Sequence, residues 1–351
     1  MIILGIESSC DETGVAIVEN GHTLLAESLA TSMDVHTLYG GVVPELAARS
    51  HIEFIIPQIE KVIDKFSREK NISTDEAWDK IDGIAVTNGA GLSGSLLVGV
   101  LTARTIAIIK KKPLYDINHV EGHVYANFLS DPKPEFPLLA LIVSGGHTQL
   151  VYFEDHFKYK LLGQTVDDAI GEAFDKVAKI VGLPYPGGPS VARSALAGDS
   201  KSYQLPKPKV DGEYNFSYSG LKTAVLRVAQ NAVGGDYRLS STMLPGMLSE
   251  RQKNDISASF QHTAVSIVVE KTVKAFKLYS PRSVVIAGGV AANQELRRQL
   301  QESLPIEIHY APPALCTDNG AMIATLGCFK AMAKQTPADP LTLAINPNLK
   351  M

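Results

Sequence analysis

Short apolar runs of strand length, each followed by a polar or glycine-bearing turn and then by a longer helical pattern, recur in two cycles along this chain, and that rhythm restricts it to an α/β fold. The first cycle opens with a buried strand at residues 2–6 (IILGI), a polar turn (SSCDETG) and a second strand (VAIVE). Asn20-Gly21 is a two-residue hairpin sequence, and HTLLAESLA reads as the strand that returns from it. Pro44 suits a first helical turn, and Leu46, Ile52, Ile55, Ile56, Ile59, Val62 and Ile63 predict a helix over 44–66. GIAVTNGAG at 83–91 is a strand entering a glycine turn, followed by a long helix, the short strand PLYDIN, and a helix opening at HVEGHVYANFL.

The second cycle begins near Pro137. LLALIVSGGHTQLVYFED reads strand, glycine turn, strand, a loose echo of GIESSCDETGVAIVEN that suggests two related lobes. A helix is expected over 166–182, ended by Gly182, with LPYPGGP as a rigid turn after it. Helices over 220–232 and 255–279 are separated by a loop, and 199–219 reads as a polar loop. SVVIAGGVAANQELRRQL is strand, glycine turn, helix; IEIHYAPP is a strand ending in prolines; CTDNGAMIATLGCFKAM is turn, then helix.

A length of 351 residues allows about two domains, each able to bury a core. Hydrophobic content of 45% and charged content of 20% are those of a globular chain. No run approaches ~18 consecutive apolar residues, so no membrane span is expected. MIILGIESSCDETG lacks a basic segment and is not read as a signal peptide. Cys10, Cys316 and Cys328 are too few for a disulfide framework, which points to a reducing, cytoplasmic location. The formal net charge is −4, yet residues 201–253 hold eight Lys/Arg and four Asp/Glu, a basic stretch on an acidic chain.

His119-Val120-Glu121-Gly122-His123 places two histidines one helical turn apart on one face, a spacing that suits two ligands of one metal or a plain pair of surface or capping histidines. Zinc proteases use H-E-x-x-H; here Val120 holds the place of the base, and Glu121 points about 100° further round the helix. Glycine turns at Ser144-Gly145-Gly146, Gly187-Gly188 and Gly288-Gly289 can bring backbone N–H groups onto phosphate oxygens, although each alone is common punctuation. None fits a P-loop or a Rossmann fingerprint. Asp11, Glu12, Asp175 and Asp318 lie in turns or on helices, where such acids usually cap; Asp318 could instead be the oxygen ligand that joins two histidines, in a His₂Asp set suited to zinc or Fe(II).

GIESSCDETG, the run from Lys111 to His123 that ends in HVEGH, LIVSGGHTQL, GEAFDKVAK, YPGGP, GGVAAN and CTDNGAMIA occur in the order found in the TsaD family of tRNA threonylcarbamoyltransferases. The resemblance spans about residues 2–347. It implies a two-lobed fold of the actin, sugar-kinase and heat-shock-chaperone (ASKHA) superfamily, with nucleotide bound between lobes; the lobes are expected at 1–118, with 325–351 packing back on it, and at 119–324. It implies transfer of threonylcarbamoyl from threonylcarbamoyl-AMP to N6 of adenosine 37 in tRNAs that read codons beginning with adenine. It implies one divalent metal, Fe(II) or zinc, on His119, His123 and Asp318, and adenylate contacts from Ile142, Val143, Ser144, Gly145, Gly146, Asp175, Gly188 and Asn293. Asp11 and Glu12 are the candidate catalytic acids, from their place in the first hairpin. The chain departs from the family after P-G-G-P, where Ser190, Val191, Ala192 and Arg193 stand and many relatives have an acid that contacts the ribose. The implied partners are tRNA, a TsaB-type paralogue, a TsaE-type ATPase and the enzyme that makes the adenylate, with no membrane. Helix 44–66 is a candidate docking face, or simply core. A metalloprotease, a non-catalytic nucleotide-binding scaffold and, behind them, a plain kinase are the competing readings.

Overall fold

Alternation along the first strand decides what surrounds the HVEGH motif. In the computed structural model, which describes residues 1–351, β1 (Ile2–Glu7) is buried along nearly its whole length. Leu4 and Ile6 join Val15, Ile17, Ile59, Val62 and Phe66 in one apolar cluster. Ile3 and Gly5 turn the other way, against Gly327 and Ala324. The two-residue period of a strand sends Glu7 to that second face, with Gly5.

β2 (Glu12–Glu19) and β3 (Thr23–Thr31) follow as an antiparallel meander. Both residues of the Asn20-Gly21 turn have positive φ (54° and 72°), the backbone that this dipeptide suits. After α1 (Met33–Thr37) come α2 (Pro44–Lys70), with Pro44 in its first turn as expected, and α3 (Thr74–Lys80). β4 (Gly83–Gly89), α4 (Ser93–Lys110) and β5 (Leu114–Asn118) add parallel strands, and α5 (His119–Tyr125) follows directly. The sheet order is β3-β2-β1-β4-β5. α4 is long and apolar enough to span a membrane by length and composition. It packs instead on α2 and β4 and buries Leu96, Val100 and Ala103.

The second unit repeats this plan. β6 (Leu138–Val143), β7 (Thr148–Asp155) and β8 (Lys158–Gln164) form an antiparallel meander. Next come α6 (Ile170–Val181), α7 (Gly187–Ala195), α8 (Ser219–Ala232), α9 (Leu244–Met247) and α10 (Glu250–Tyr279). β9 (Ser283–Ala287), α11 (Gln294–Ser303) and β10 (Ile308–Tyr310) complete it, with β9 parallel to β6 and β10 parallel to β9. The order β10-β9-β6-β7-β8 has the strand senses of the first sheet, so the faint echo between the two cycles reflects one topology used twice. The chain then returns to the first unit through α12 (Pro313–Cys316) and α13 (Gly320–Met332), and α13 packs on β1, β2 and α5.

Four expectations shift. The compact units are residues 1–133 with 311–351, and residues 134–310. The HVEGH helix and the CTDNG turn therefore belong to the first unit, because α5 lies on α13. P-G-G-P opens α7 rather than closing a turn. α6 starts at Ile170, not 166, since Asp167 is spent accepting hydrogen bonds from the Tyr218 N–H (2.8 Å) and the Ser217 hydroxyl. α10 starts at Glu250, five residues earlier than the apolar pattern suggests, because Ser249 and Gln252 form a capping box.

Candidate metal centre and glycine cradle

Two asparagines free the ligand residues from capping duty. Asn118 caps α5, its side-chain oxygen accepting from the Val120 N–H at 2.9 Å. Asn319 caps α13 by accepting from the Met322 N–H at 2.9 Å. His119, His123 and Asp318 are left to face one another, and their ligand atoms lie within 4.8 Å of each other. Asp318 Oδ1 is 3.5 Å from His119 Nε2 and 3.2 Å from His123 Nε2. The imidazoles meet edge to face with centres 4.7 Å apart.

Both histidines are buried; His123 Nδ1 has no hydrogen-bond partner, and its Nε2 meets only the Asp318 carboxylate, without hydrogen-bond alignment. Buried imidazole nitrogens without partners are costly. A cation among these atoms would satisfy Nε2, and two nitrogens plus a carboxylate oxygen are a donor set for zinc or Fe(II) with positions left open. The residues present therefore fit a divalent metal.

His119 is also held from behind. Its Nδ1 is 3.2 Å from Glu7 Oε2 and 3.1 Å from the Ser9 hydroxyl. Such a partner fixes the tautomer and aims the other nitrogen at the metal. Glu7 is fully buried; its carboxylate also accepts from the Thr87 hydroxyl and, at 2.5 Å, from the Ser9 N–H. Burial alone would raise the Glu7 carboxyl, but the charge of His119 and the hydrogen bond with it hold it below the usual range. Burial would lower His119; Asp318 and Glu7 outweigh it and push the imidazole up to about 9. Glu7 was not among the expected site residues. Its sequence signal is a carboxylate ending an otherwise apolar buried strand.

Asp11 and Glu12 stand where β2 begins, and Glu12 feels the same charges. Burial first, then Asp318, Asp11 and Glu7, push its carboxyl up to about 10. His51, buried on α2, secures this turn, with Nδ1 2.7 Å from the Thr13 hydroxyl and Nε2 3.0 Å from the Cys10 carbonyl. Glu121, the rival protease base, is buried; burial pushes it up to about 7, with Lys330 and Asp116 as its charged neighbours.

The second unit gathers the glycine turns. The Ser144–His147 turn closes on itself, Ser144 N–H donating to the His147 carbonyl at 2.8 Å. Gly145 and Gly146 are exposed, with open space where a Cβ would project. Gly171, in the first turn of α6, donates its N–H to the Ser144 carbonyl at 3.2 Å. A Cβ on Gly288 (φ 89°) would lie 2.5 Å from the Val143 carbonyl, so the β9 turn passes against the end of β6 only because it is glycine. Ile142 and Val143 are fully buried strand residues, so their side chains are core. Asp175 accepts from the Gly187 N–H at 2.6 Å and ties α6 to α7; burial raises its carboxyl more than that bond lowers it. Gly188 opens onto free space. Asn293 caps α11 by accepting from the Leu296 N–H at 3.1 Å, and donates to Gln261 at 2.9 Å. In place of the family's acid, Val191 is buried and Ser190 donates to the Gly187 carbonyl at 3.1 Å.

The fold resembles that of HypF from T. kodakarensis (TM-score 0.61, 12% identity, covering 97% of this chain and 49% of that one). It also resembles component A of (R)-2-hydroxyglutaryl-CoA dehydratase from Acidaminococcus fermentans (TM-score 0.51, 16% identity, 95% and 99% covered). Both likenesses bear on fold alone, a two-lobed α/β fold. A tRNA N6-adenosine threonylcarbamoyltransferase of Symbiobacterium thermophilum is 48% identical over 93% of this chain and 91% of its own length. That of Dehalococcoides mccartyi strain CBDB1 is 43% identical over 100% and 99%. Residues 23–325 match the family described as "TsaD: tRNA N6-adenosine threonylcarbamoyltransferase", and the chain belongs to that family of transferases, which modify tRNA.

Proposed function

We propose that this chain transfers threonylcarbamoyl from threonylcarbamoyl-AMP to N6 of adenosine 37 in tRNAs reading codons that begin with adenine, releasing AMP. The observation that carries the reading is the convergence of the buried His119 and His123 on the Asp318 carboxylate, with the ligand atoms within 4.8 Å of one another. These three residues hold the metal, zinc or Fe(II), which when bound supplies positive charge for phosphate and carbonyl oxygens. Glu7 and Ser9 keep the His119 Nε2 lone pair directed at it.

The adenine amine is a weak nucleophile, because its lone pair is delocalised into the ring, so its acceptor must be activated, as a carbamoyl–phosphate mixed anhydride is. The N6 lone pair forms the bond to the carbamoyl carbon. The C–O bond to phosphate breaks, and its electron pair leaves with AMP. One N6 proton passes to the Asp11–Glu12 turn. Burial first, and then Asp318, push the Glu12 carboxyl up to about 10, so near neutral pH it carries a proton that it must lose before it can accept one. The open backbone at Gly145, Gly146 and Gly188 supports close approach of the adenylate phosphate and ribose. Asp175 and Asn293 are committed to helix contacts and act by shaping that cradle.

The exposed apolar residues Ile52 and Ile56 on α2, with Leu97 and Leu101 on neighbouring α4, support docking of a TsaB-type paralogue there. A TsaE-type ATPase and the adenylate-forming enzyme complete the system, in the cytoplasm. The test is nucleoside mass spectrometry on unmodified tRNA incubated with the protein, these partners and threonylcarbamoyl-AMP. Wild type is expected to yield threonylcarbamoyladenosine, and His119→Ala to lose most of it. No product from wild type, or a full rate from the variant, would overturn the reading.

A further inference from the structure

Lys222, Arg227 and Arg238, three of the basic residues between 201 and 253, stand on α8 or in the loop after it, and the transfer chemistry does not use them. α6 and α8 lie side by side. Between them a largely apolar groove of about 350 Å³ is lined by Ile180 and Leu226 together with Lys176, Lys179, Lys222 and Thr242. Asp168 and Glu172 pair with Lys176 at 2.8 and 2.7 Å, and Asp168 also approaches Lys222 at 3.5 Å. Lys179 has no ion-pair partner.

Along the same loop stands Tyr237, 64% exposed. Its carbonyl accepts from Arg227 at 3.3 Å and from Gln230 at 3.4 Å, which pins the backbone to α8 and leaves the ring in solvent. The guanidinium of Arg227 lies 5.8 Å from the ring centre and that of Arg238 5.3 Å, and Arg238 Nε donates to the Tyr237 hydroxyl at 3.2 Å. Neither arginine has a carboxylate partner. An exposed aromatic ring between unpaired cations, beside a groove with apolar walls and the unpaired Lys179, matches a ligand that carries both flat π faces and negative charges. An acidic peptide supplies the charge but not the faces. RNA bases outside a duplex supply both.

We propose that this surface of the second unit binds an unpaired segment of tRNA, with one base stacked on Tyr237 and the flanking phosphates along Arg227, Arg238 and Lys179. The proposal rests on tRNA being the substrate and adds where it is held. The test measures tRNA affinity by fluorescence anisotropy across a salt series, and steady-state modification by the full chain with its partners. The variants are Tyr237→Ala, Arg238→Glu and Lys179→Glu. Lys158→Glu, at the far hairpin of the same unit, controls for net charge.

Tyr237→Ala is expected to weaken binding on the order of tenfold, the loss of one stacked base. Each reversed cation should lower the slope of log affinity against log salt by about one contact or more. KM for tRNA should rise in each variant while kcat stays within about twofold. If wild type modifies tRNA and the three variants match it in affinity, KM and salt slope, the surface is refuted and the transferase reading stands. If Lys158→Glu weakens binding as much as they do, the effect is general charge and the surface is equally refuted. If wild type makes no product yet Tyr237→Ala still weakens tRNA binding, the surface stands and the reaction falls.

Discussion

Replacing Glu7 by glutamine keeps the shape of the side chain and removes one acceptor from a place where every lone pair is directional. Oε1 faces the Ser9 N–H at 2.5 Å, while Oε2 faces His119 Nδ1 at 3.2 Å and the Thr87 hydroxyl. If the new NH₂ takes the Oε1 position, two donors meet head on. If it takes the Oε2 position, the neutral imidazole that a metal requires must accept at Nδ1, which moves its one proton to Nε2, the nitrogen that faces Asp318. A protonated Nε2 cannot ligate. Outer partners of metal-bound histidines typically account for roughly 10–100-fold in metal affinity, which is about 1.4–2.8 kcal/mol. The assay is competition of apo-protein against a chromophoric chelator for Zn²⁺, with denaturant unfolding with and without metal. At saturating Zn²⁺ the metal-conferred stabilisation of Glu7→Gln should fall short of wild type by the same roughly 1.4–2.8 kcal/mol. The unfolding curve without metal separates this from a simple loss of fold. A folded Glu7→Gln protein with Zn²⁺ affinity within about twofold of wild type would refute the assignment of Glu7 as the group that orients His119.

Two further outcomes test the frame around the centre. His51 is depressed below the usual imidazole value, because burial outweighs its bond to the Cys10 carbonyl. It stays neutral in the fold, while the unfolded chain takes up a proton below about pH 6.5. Its contribution is present above that pH and is lost as pH falls toward the lowered folded value. Stability of His51→Gln followed by urea unfolding should then fall less steeply than wild type from about pH 7 to 5, and parallel curves would sink this reading. A Cβ on Gly5 would stand 2.4 Å from the Ala324 backbone N and 2.5 Å from the Gly320 carbonyl, so Gly5→Ala must push β1 away from α13. The expected cost is about 1–3 kcal/mol or more by urea unfolding, and a loss under about 0.5 kcal/mol would show that the contact yields easily.

Where a local rule decided the structure, the sequence disclosed it. Asn20-Gly21 adopts the left-handed pair of angles it suits, Pro44 sits in the first turn of α2, and Gly182 ends α6 in the left-handed region (φ 79°). The misreadings have tertiary causes. P-G-G-P looks like a closing turn, yet a Cβ on Gly187 would come 2.4 Å from Asp175 Cα, so that glycine is there to let α7 start against α6. β8 carries little strand signal in its sequence, because most of its side chains are partly or fully exposed and because its turn places Phe157, not glycine, at positive φ (60°).

The candidate site divides in the same way. His119 and His123 are one turn apart, so their common face follows from helical spacing alone. Asp318 required the chain to return after unit two; the residues alone left it a helix-capping acid or a third ligand, and the resemblance favours the ligand. Glu7 is 112 residues from His119, and no local pattern links them. What places it is the parity of β1: with Leu4 and Ile6 committed to the α2 side, Ile3, Gly5 and Glu7 must face α13 and α5. Gly5, Gly14 and Gly320 then leave room for α13 to come close enough that Asp318, two residues before Gly320, reaches the histidines. An apolar pattern that looks like plain core thus also sets the position of a buried carboxylate. A substitution in β1 that disturbs this spacing should therefore affect the metal centre as well as stability.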